Sequence, residues 1–247
     1  MKAVSPRLDS LPPAQRALWP RLSAVGSDFV LYGGTALSFQ VGGRVSVDFD
    51  FFTSEPLDNA RLVGRFPFLL GAVLRQQAVD TATFVVGRGS DAVAISFFGA
   101  LGFGRAGDPV RFADNGLFAA GLLDLAAQKV RVIQHRAEAK DYLDIQKLLA
   151  EGVSLEMALG AAQAVYPDFN PAVSLKALSY YGDVPRLPPD IQRDLRNAAT
   201  RVRDIGRVKM RDKSLLPSVG SIAHNLEPGG SFERSRARER KGPELEI

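Results

Sequence analysis

The stretch Tyr32-Gly33-Gly34-Thr35-Ala36-Leu37, followed shortly by Val47-Asp48-Phe49-Asp50-Phe51-Phe52, leaves few folds open to this chain. Phe29 to Tyr32 reads as a buried strand, and Thr35 to about residue 41 reads as helix. Gly33 and Gly34 then sit at a strand-to-helix turn, where absent side chains let backbone N–H groups approach a ligand closely. A helix N-terminus just beyond them favours an anion. Residues 46–52 read as a second strand. Because strand side chains alternate, Asp48 and Asp50 share one face while Val47, Phe49 and Phe51 take the other. Two carboxylates so placed lie roughly 6.5–7 Å apart at their Cα atoms. A hard cation is the expected partner, and Mg²⁺ (or Mn²⁺) fits, since Mg²⁺ takes one or two carboxylates and completes its shell with water and phosphate oxygens. The competing reading is a structural carboxylate pair answered by Arg44.

A phosphate cradle followed by a metal-binding pair is the layout of a phosphoryl or nucleotidyl transfer site. The motifs G-G-T-A-L and R-x-S-x-D-F-D-F-F (Arg44 to Phe52) resemble the first motif of the AbiEii/AbiGii-type nucleotidyltransferase toxins. That is a bacterial abortive-infection and toxin–antitoxin family. A second block is similar to the family pattern as well: Lys129, Arg136 seven residues on, then Lys140-Asp141-x-x-Asp144. The resemblance covers about residues 20–185. It implies an α/β (α+β) chain, a minimal nucleotidyltransferase fold with a mixed sheet, followed by a helical C-terminal region. It further implies that Asp48 and Asp50 bind the metal, while Gly33, Gly34 and Thr35 hold phosphates. Arg44 contacts phosphate or supports the site from behind, and Ser46 is a supporting residue. The implied reaction moves NMP from an NTP to a hydroxyl of a macromolecule, tRNA or protein, with an antitoxin encoded nearby.

On one unbroken helix, Lys129, Arg136, Lys140 and Asp144 fall at about 0°, −20°, 20° and 60°, a single stripe. Such a stripe is either a solvated charged face or a wall of the site. In the second case Lys129 contacts nucleotide phosphates, Arg136 is structural or stabilises the transition state, and Asp144 completes the acidic site or activates the acceptor. Asp141 points about 120° off the stripe and is the weaker candidate. Polymerase-like relatives carry a third carboxylate on a later strand, but the corresponding run here is Ile95-Ser96-Phe97-Phe98. Either Asp144 substitutes or the chain is a catalytically impaired relative, a nucleotide- or RNA-binding regulatory module. A D-x-D glycosyltransferase would need a larger Rossmann-like domain than residues 29–115 supply.

Further along, Ser10 is a plausible cap for a helix from Pro12 to Trp19, and Ser54 to about Leu74 reads as another helix. Residues 81–86 and 92–98 read as strands joined through Gly87 and Gly89. Residues 122–150, 154–165, 171–179 and 189–202 read as helices. The expected organisation is 1–115 as the α/β domain, 116–211 as a helical region completing the site, and 212–247 as a basic tail too poor in apolar residues to order itself. From Arg201 onward the chain has eleven Lys/Arg against seven Asp/Glu, which accounts for the whole net charge of +4. The candidate domain is therefore neutral, which argues against gripping nucleic acid by bulk charge.

With 247 residues and 46% hydrophobic content the chain can bury a proper core. No cysteine is present, which excludes disulfides and thiolate chemistry. No apolar run approaches the roughly 20 residues of a membrane span, so a cytoplasmic protein is expected. Gly102-Phe103-Gly104-Arg105-Ala106-Gly107 matches a dinucleotide fingerprint, but Asp108-Pro109 follows where the helix should start. His135 and His224 lack ligand spacing for zinc.

Overall fold

The computed structural model describes residues 2–216. In chain order the strands and helices are β1 (Ala3–Val4), α1 (Pro13–Leu18), β2 (Val30–Tyr32), α2 (Gly33–Val41), β3 (Phe49–Phe52), α3 (Leu62–Arg65), β4 (Val73–Ala78) and β5 (Thr81–Val86). They continue as β6 (Val93–Phe98), β7 (Val110–Phe112), β8 (Phe118–Ala119), α4 (Leu122–Val132), α5 (Ala139–Ala150), α6 (Leu155–Val165), α7 (Pro171–Ala177) and α8 (Pro189–Arg201). The strands form one mixed sheet in the order β1-β7-β8-β2-β3-β6-β5-β4. The pairs β2–β8 and β3–β6 are parallel, and β2–β3 and β5–β6 are antiparallel. This is the mixed sheet with a helical C-terminal region that the sequence implies.

The central strands owe their burial to their composition. Val30, Leu31, Phe49, Phe51, Ile95 and Phe97 are all buried, and Phe51 stacks on Phe97 at 5.6 Å between ring centroids. Trp19 closes one side of the core against Phe39 (4.5 Å) and Phe112 (5.5 Å), and its indole N–H donates to Asp114 at 2.7 Å. Helix α6 begins at Ser154, whose hydroxyl accepts from the Met157 N–H at 3.2 Å, and α7 begins at Asn170, which accepts from the Ala172 N–H at 3.0 Å.

Several expectations need correction. The strand expected over 46–52 starts only at Phe49, so Asp48 lies on the segment leading into it. Residues 54–74 do not form one helix. A four-residue α3 and a short 3₁₀ turn at Pro67–Leu69 give way to β4, an edge strand exposed along its length. Ser10 does not cap α1, because its hydroxyl donates to the Arg7 carbonyl instead. Strand β8 carries the sheet past 115 to Ala119.

Residues 212–216, expected to open the tail, pack on the rest of the chain. Asp212 bridges to Arg105 through backbone hydrogen bonds, the buried Arg105 guanidinium reaches the Ser214 carbonyl at 3.1 Å, and Leu215 is buried. The remainder of the expected tail lies outside the described residues. The Gly102–Gly107 loop has no following helix. Gly104 is needed because the Asp212 carbonyl passes through the space its Cβ would fill. The Asp124 carboxylate accepts from the Ala106 and Gly107 N–H groups at 2.6 and 3.0 Å, fixing the loop to α4. Among the described residues no single helix is long and apolar enough to cross a membrane.

Candidate active site

The β2–α2 turn and the start of β3 build the acidic half of the site. Gly33 has φ +75°, and a Cβ there would stand 2.9 Å from an Asp50 carboxylate oxygen. A Cβ on Gly34 would collide with Arg44 Nη2 and stand 2.9 Å from Ser46 Oγ. The two glycines are thus required by the close approach of the site's own polar side chains, as well as leaving backbone open to a ligand. Thr35 is buried, and its hydroxyl donates to the Asp48 carbonyl at 2.5 Å. That bond ties α2 to the segment carrying the first aspartate, and Thr35 is not among the residues lining the cavity beside its glycine neighbours. Tyr32 pairs with Asp50 across the antiparallel ladder, so Asp50 projects from the sheet next to the glycine turn while Phe49 and Phe51 are buried behind it.

The basic half comes from α4, α5 and the turn between them. The expected single helix over 122–150 is broken. Helix α4 stops at Val132, its end tightened by Gln134 N–H→Arg131 and His135 N–H→Val132 bonds, and α5 starts at Ala139. Lys129, Arg136, Lys140 and Asp144 therefore share no stripe. Lys129 and Asp144 instead meet across the break, Nζ to Oδ2 at 2.7 Å, and the same ammonium donates to Asp141 at 2.8 Å.

Asp141, the weaker candidate on a continuous helix, is fully buried and also accepts from Arg136 Nε at 2.8 Å and Nη2 at 3.1 Å. Burial pushes its carboxyl up, but the Arg136 hydrogen bonds and the Lys129 charge outweigh that and hold it below the usual range. Asp144 takes a bidentate bond from Arg44, Nε to Oδ1 at 2.9 Å and Nη2 to Oδ2 at 2.8 Å. Arg44 thus answers Asp144 across a hundred residues of sequence, and the reading in which it neutralises Asp48 and Asp50 is not what the structure contains. Lys140 pairs with Glu138 at 2.7 Å.

A cavity of about 570 Å³ joins the two halves. Gly33, Gly34, Arg44, Ser46, Asp48, Asp50, Lys129, Arg136 and Lys140 all line it, whereas Thr35 and Asp144 do not. Sequence reasoning missed further contributors, among them Gln128, Arg131, Phe52 and Phe98. The signal for the two phenylalanines was available, since each lies two residues beyond a site position (Asp50, Ser96) on the same strand face. A larger cavity of about 870 Å³ opens beside the 53–58 segment and shares no residue with this one.

The model of the nucleotidyl transferase AbiEii toxin family, a type IV toxin–antitoxin system, matches residues 16–209. The chain belongs to this family. It is also 30% identical over 174 residues to an uncharacterized protein of Aquifex aeolicus (strain VF5), covering 68% of this chain and 82% of that protein. A solved structure of a candidate nucleotidyltransferase from H. pylori aligns over 76% of this chain and 90% of its own, with 16% identity and a TM-score of 0.49.

In this AbiEii-family chain the two aspartates differ. Asp48 is exposed, while Asp50 is partly buried and its pKa is raised from 3.8 to about 6. Burial is the main cause, followed by the negative charge of Asp48; a hydrogen bond from Ser96, then Lys129 and Arg136, pull the other way. Ser96 sits beside Asp50 in the β3–β6 register, where a third acid was expected, and accepts from Thr83 at 3.2 Å. Among the described residues no cluster of three or more His, Cys, Asp or Glu side chains could hold a metal. Asp48 and Asp50 are the only acids among the described residues that line the cavity. That donor set suits Mg²⁺ or Mn²⁺ sharing its shell with phosphate and water, and it does not suit an all-protein cage. The raised Asp50 is a carboxylate that a cation would relieve.

Proposed function

We propose that this AbiEii-family nucleotidyltransferase transfers NMP from an NTP to a hydroxyl of a macromolecule, RNA or protein, with a divalent cation held by Asp48 and Asp50. Such a cation would supply charge neutralisation at the transferring phosphate. The single observation that carries the reading is one cavity holding the glycine turn, two like-charged carboxylates and a basic wall.

The protein's own part is binding and orientation. Gly33 and Gly34 offer backbone N–H groups at the start of α2 to the triphosphate. Arg44 has five N–H donors; two are bound by Asp144 and one by the Val45 carbonyl, leaving two for phosphate. Lys129 has one N–H left after Asp141 and Asp144. Asp144, expected as a base, acts instead as the clamp that aims Arg44 and Lys129. Proton removal from the attacking hydroxyl falls to the lining aspartates or water, which suffices for a transfer dominated by positioning and charge stabilisation. Family membership supports a growth-inhibiting toxin with an antitoxin partner.

The test is transfer from each labelled NTP to total RNA or total protein with Mg²⁺ or Mn²⁺. Wild type should label an acceptor, and Asp48→Asn with Asp50→Asn should abolish labelling without unfolding the chain. Labelling by the double variant at the wild-type rate would end the two-carboxylate reading. Ser96 in place of an acid favours a second reading, a regulatory module that binds nucleotide or RNA. Tight NTP binding with no transfer to either acceptor pool would establish it.

A further inference from the structure

The strand register orders the cavity along β3. Tyr32 pairs with Asp50 and Val30 with Phe52, so the glycine turn after Tyr32 lies on one side of Asp50 and Phe52 lies on the other. Phe98 sits beside Phe52 in the parallel β3–β6 ladder, with ring centroids 4.8 Å apart. Both rings are only partly buried, and they are the phenyl rings lining an otherwise largely polar cavity. Phe52 is held from behind by Tyr32 at 4.9 Å and by Phe103 at 6.4 Å.

The helical wall approaches the same end. Phe103 packs on Tyr166 at 4.8 Å, and the Arg131 guanidinium lies over the Tyr166 ring at 4.8 Å, anchored to Asp168 at 2.9 Å. Arg131 Nε is buried without a hydrogen-bond partner among the described residues, and so is Oε1 of Gln128, one helical turn earlier on the cavity-lining face of α4. Buried polar atoms are ordinarily paired. Both belong to residues of the same cavity wall, and a ligand with complementary polar edges would pair them once the side chains turn toward it. A half-turn of the Gln128 amide exchanges its acceptor for two donors.

We infer that Phe52, Phe98, Gln128 and Arg131 form a nucleobase subsite, the two rings giving a stacking shelf and Gln128 and Arg131 reading the base edge. This rests on the nucleotidyl-transfer reading above. In an in-line displacement the leaving pyrophosphate occupies the glycine side. The attacking hydroxyl then lies opposite it, toward Phe52, and the nucleoside extends from the α-phosphate between the two, within reach of the same rings. A nucleobase is the ligand that needs a flat apolar face and a hydrogen-bonding rim together. It comes either from the NTP or from an RNA end.

The experiment measures equilibrium binding of three probes in Mg²⁺: inorganic tripolyphosphate, each of the four NTPs, and a single-stranded RNA oligonucleotide. The proteins are wild type, Phe98→Leu and Gln128→Leu, each checked by its thermal midpoint. Wild type should bind its preferred NTP or the RNA on the order of tenfold more tightly than tripolyphosphate, the scale of one base stacked on an aromatic ring. Phe98→Leu should remove that margin and leave tripolyphosphate unchanged. Gln128→Leu, which tests the subsite even should Phe98→Leu fail to fold, should flatten the ranking among bases. Loss confined to NTPs makes the nucleotide the source, and loss confined to RNA makes it the acceptor. Unchanged affinity for both in Gln128→Leu and a folded Phe98→Leu, or a parallel fall in tripolyphosphate, overturns the subsite. Wild type binding no tripolyphosphate would instead remove the reading beneath it.

Discussion

Asp50 offers the sharpest test, because its energetics can be worked from the site. Its carboxyl titrates near 6 in the fold and at 3.8 when free. The folded state therefore holds the proton more tightly, and stability falls as pH rises from 3.8 through about 6, then levels off. At about 1.4 kcal/mol per pH unit between those two values, the full cost of ionised Asp50 comes to about 3 kcal/mol. Linkage places about half of that cost at pH 5 and nearly all of it at pH 8, a difference of between about 1 and 2 kcal/mol. Asp50→Asn removes the charge and keeps an oxygen to accept from Ser96. Urea unfolding of both proteins in chelator, at pH 5 and pH 8, isolates this contribution together with its coupling to Asp48, because titrations not coupled to Asp50 cancel between them. The variant should gain on wild type by about 1 to 2 kcal/mol on going from pH 5 to pH 8. Mg²⁺ added at pH 8 should stabilise wild type and leave Asp50→Asn unmoved. A stability difference independent of pH would refute the argument that burial and Asp48 strain this carboxylate.

Asp141→Asn and Asp144→Asn each leave the buried Lys129 short of a partner and should cost about 3 kcal/mol in chemical denaturation. Asp144→Asn should in addition weaken NTP binding, since Arg44 loses its anchor; unaltered NTP affinity would show that Arg44 is aimed by something else. Gly34→Ala drives a methyl group into Arg44 and Ser46 and should lower NTP affinity more than thermal stability, which paired titration and melting would check. Ending the chain at Arg211 removes buried Leu215 and the carbonyls that satisfy Arg105, and should cost about 3 kcal/mol or more. A midpoint within a degree of the full chain would contradict that packing.

The local features of the site were legible because their determinants are neighbours in sequence. The glycine turn, Asp48, Asp50 and the β5–β6 hairpin are each set by a handful of adjacent residues. Strand β4 was not, because Val73-Leu74-Arg75-Gln76-Gln77-Ala78 favours helix by composition and is a strand only through backbone pairing to β5. The two- and three-residue strands β1, β7 and β8 are likewise created by distant partners. The break after Val132 carries no glycine or proline to announce it. Asp141 and Asp144 were therefore assigned their directions on a helix that does not exist, and their true partners, Lys129, Arg136 and Arg44, follow from the fold alone.

That break has a further consequence. Fifteen residues of continuous helix would separate Lys129 from Asp144 by about 22 Å, whereas the 133–138 turn returns their side chains to 2.7 Å. The turn is therefore a length gauge. One residue added to it would change how α5 docks on α4, and a shift of a few ångströms suffices to carry Asp141 and Asp144 off Lys129 and to release Arg44 on the far side of the cavity. Connections between helices ordinarily absorb insertions. This one sets the registration of the whole basic wall, so a change that touches no charged residue would disarm the site as completely as deleting one.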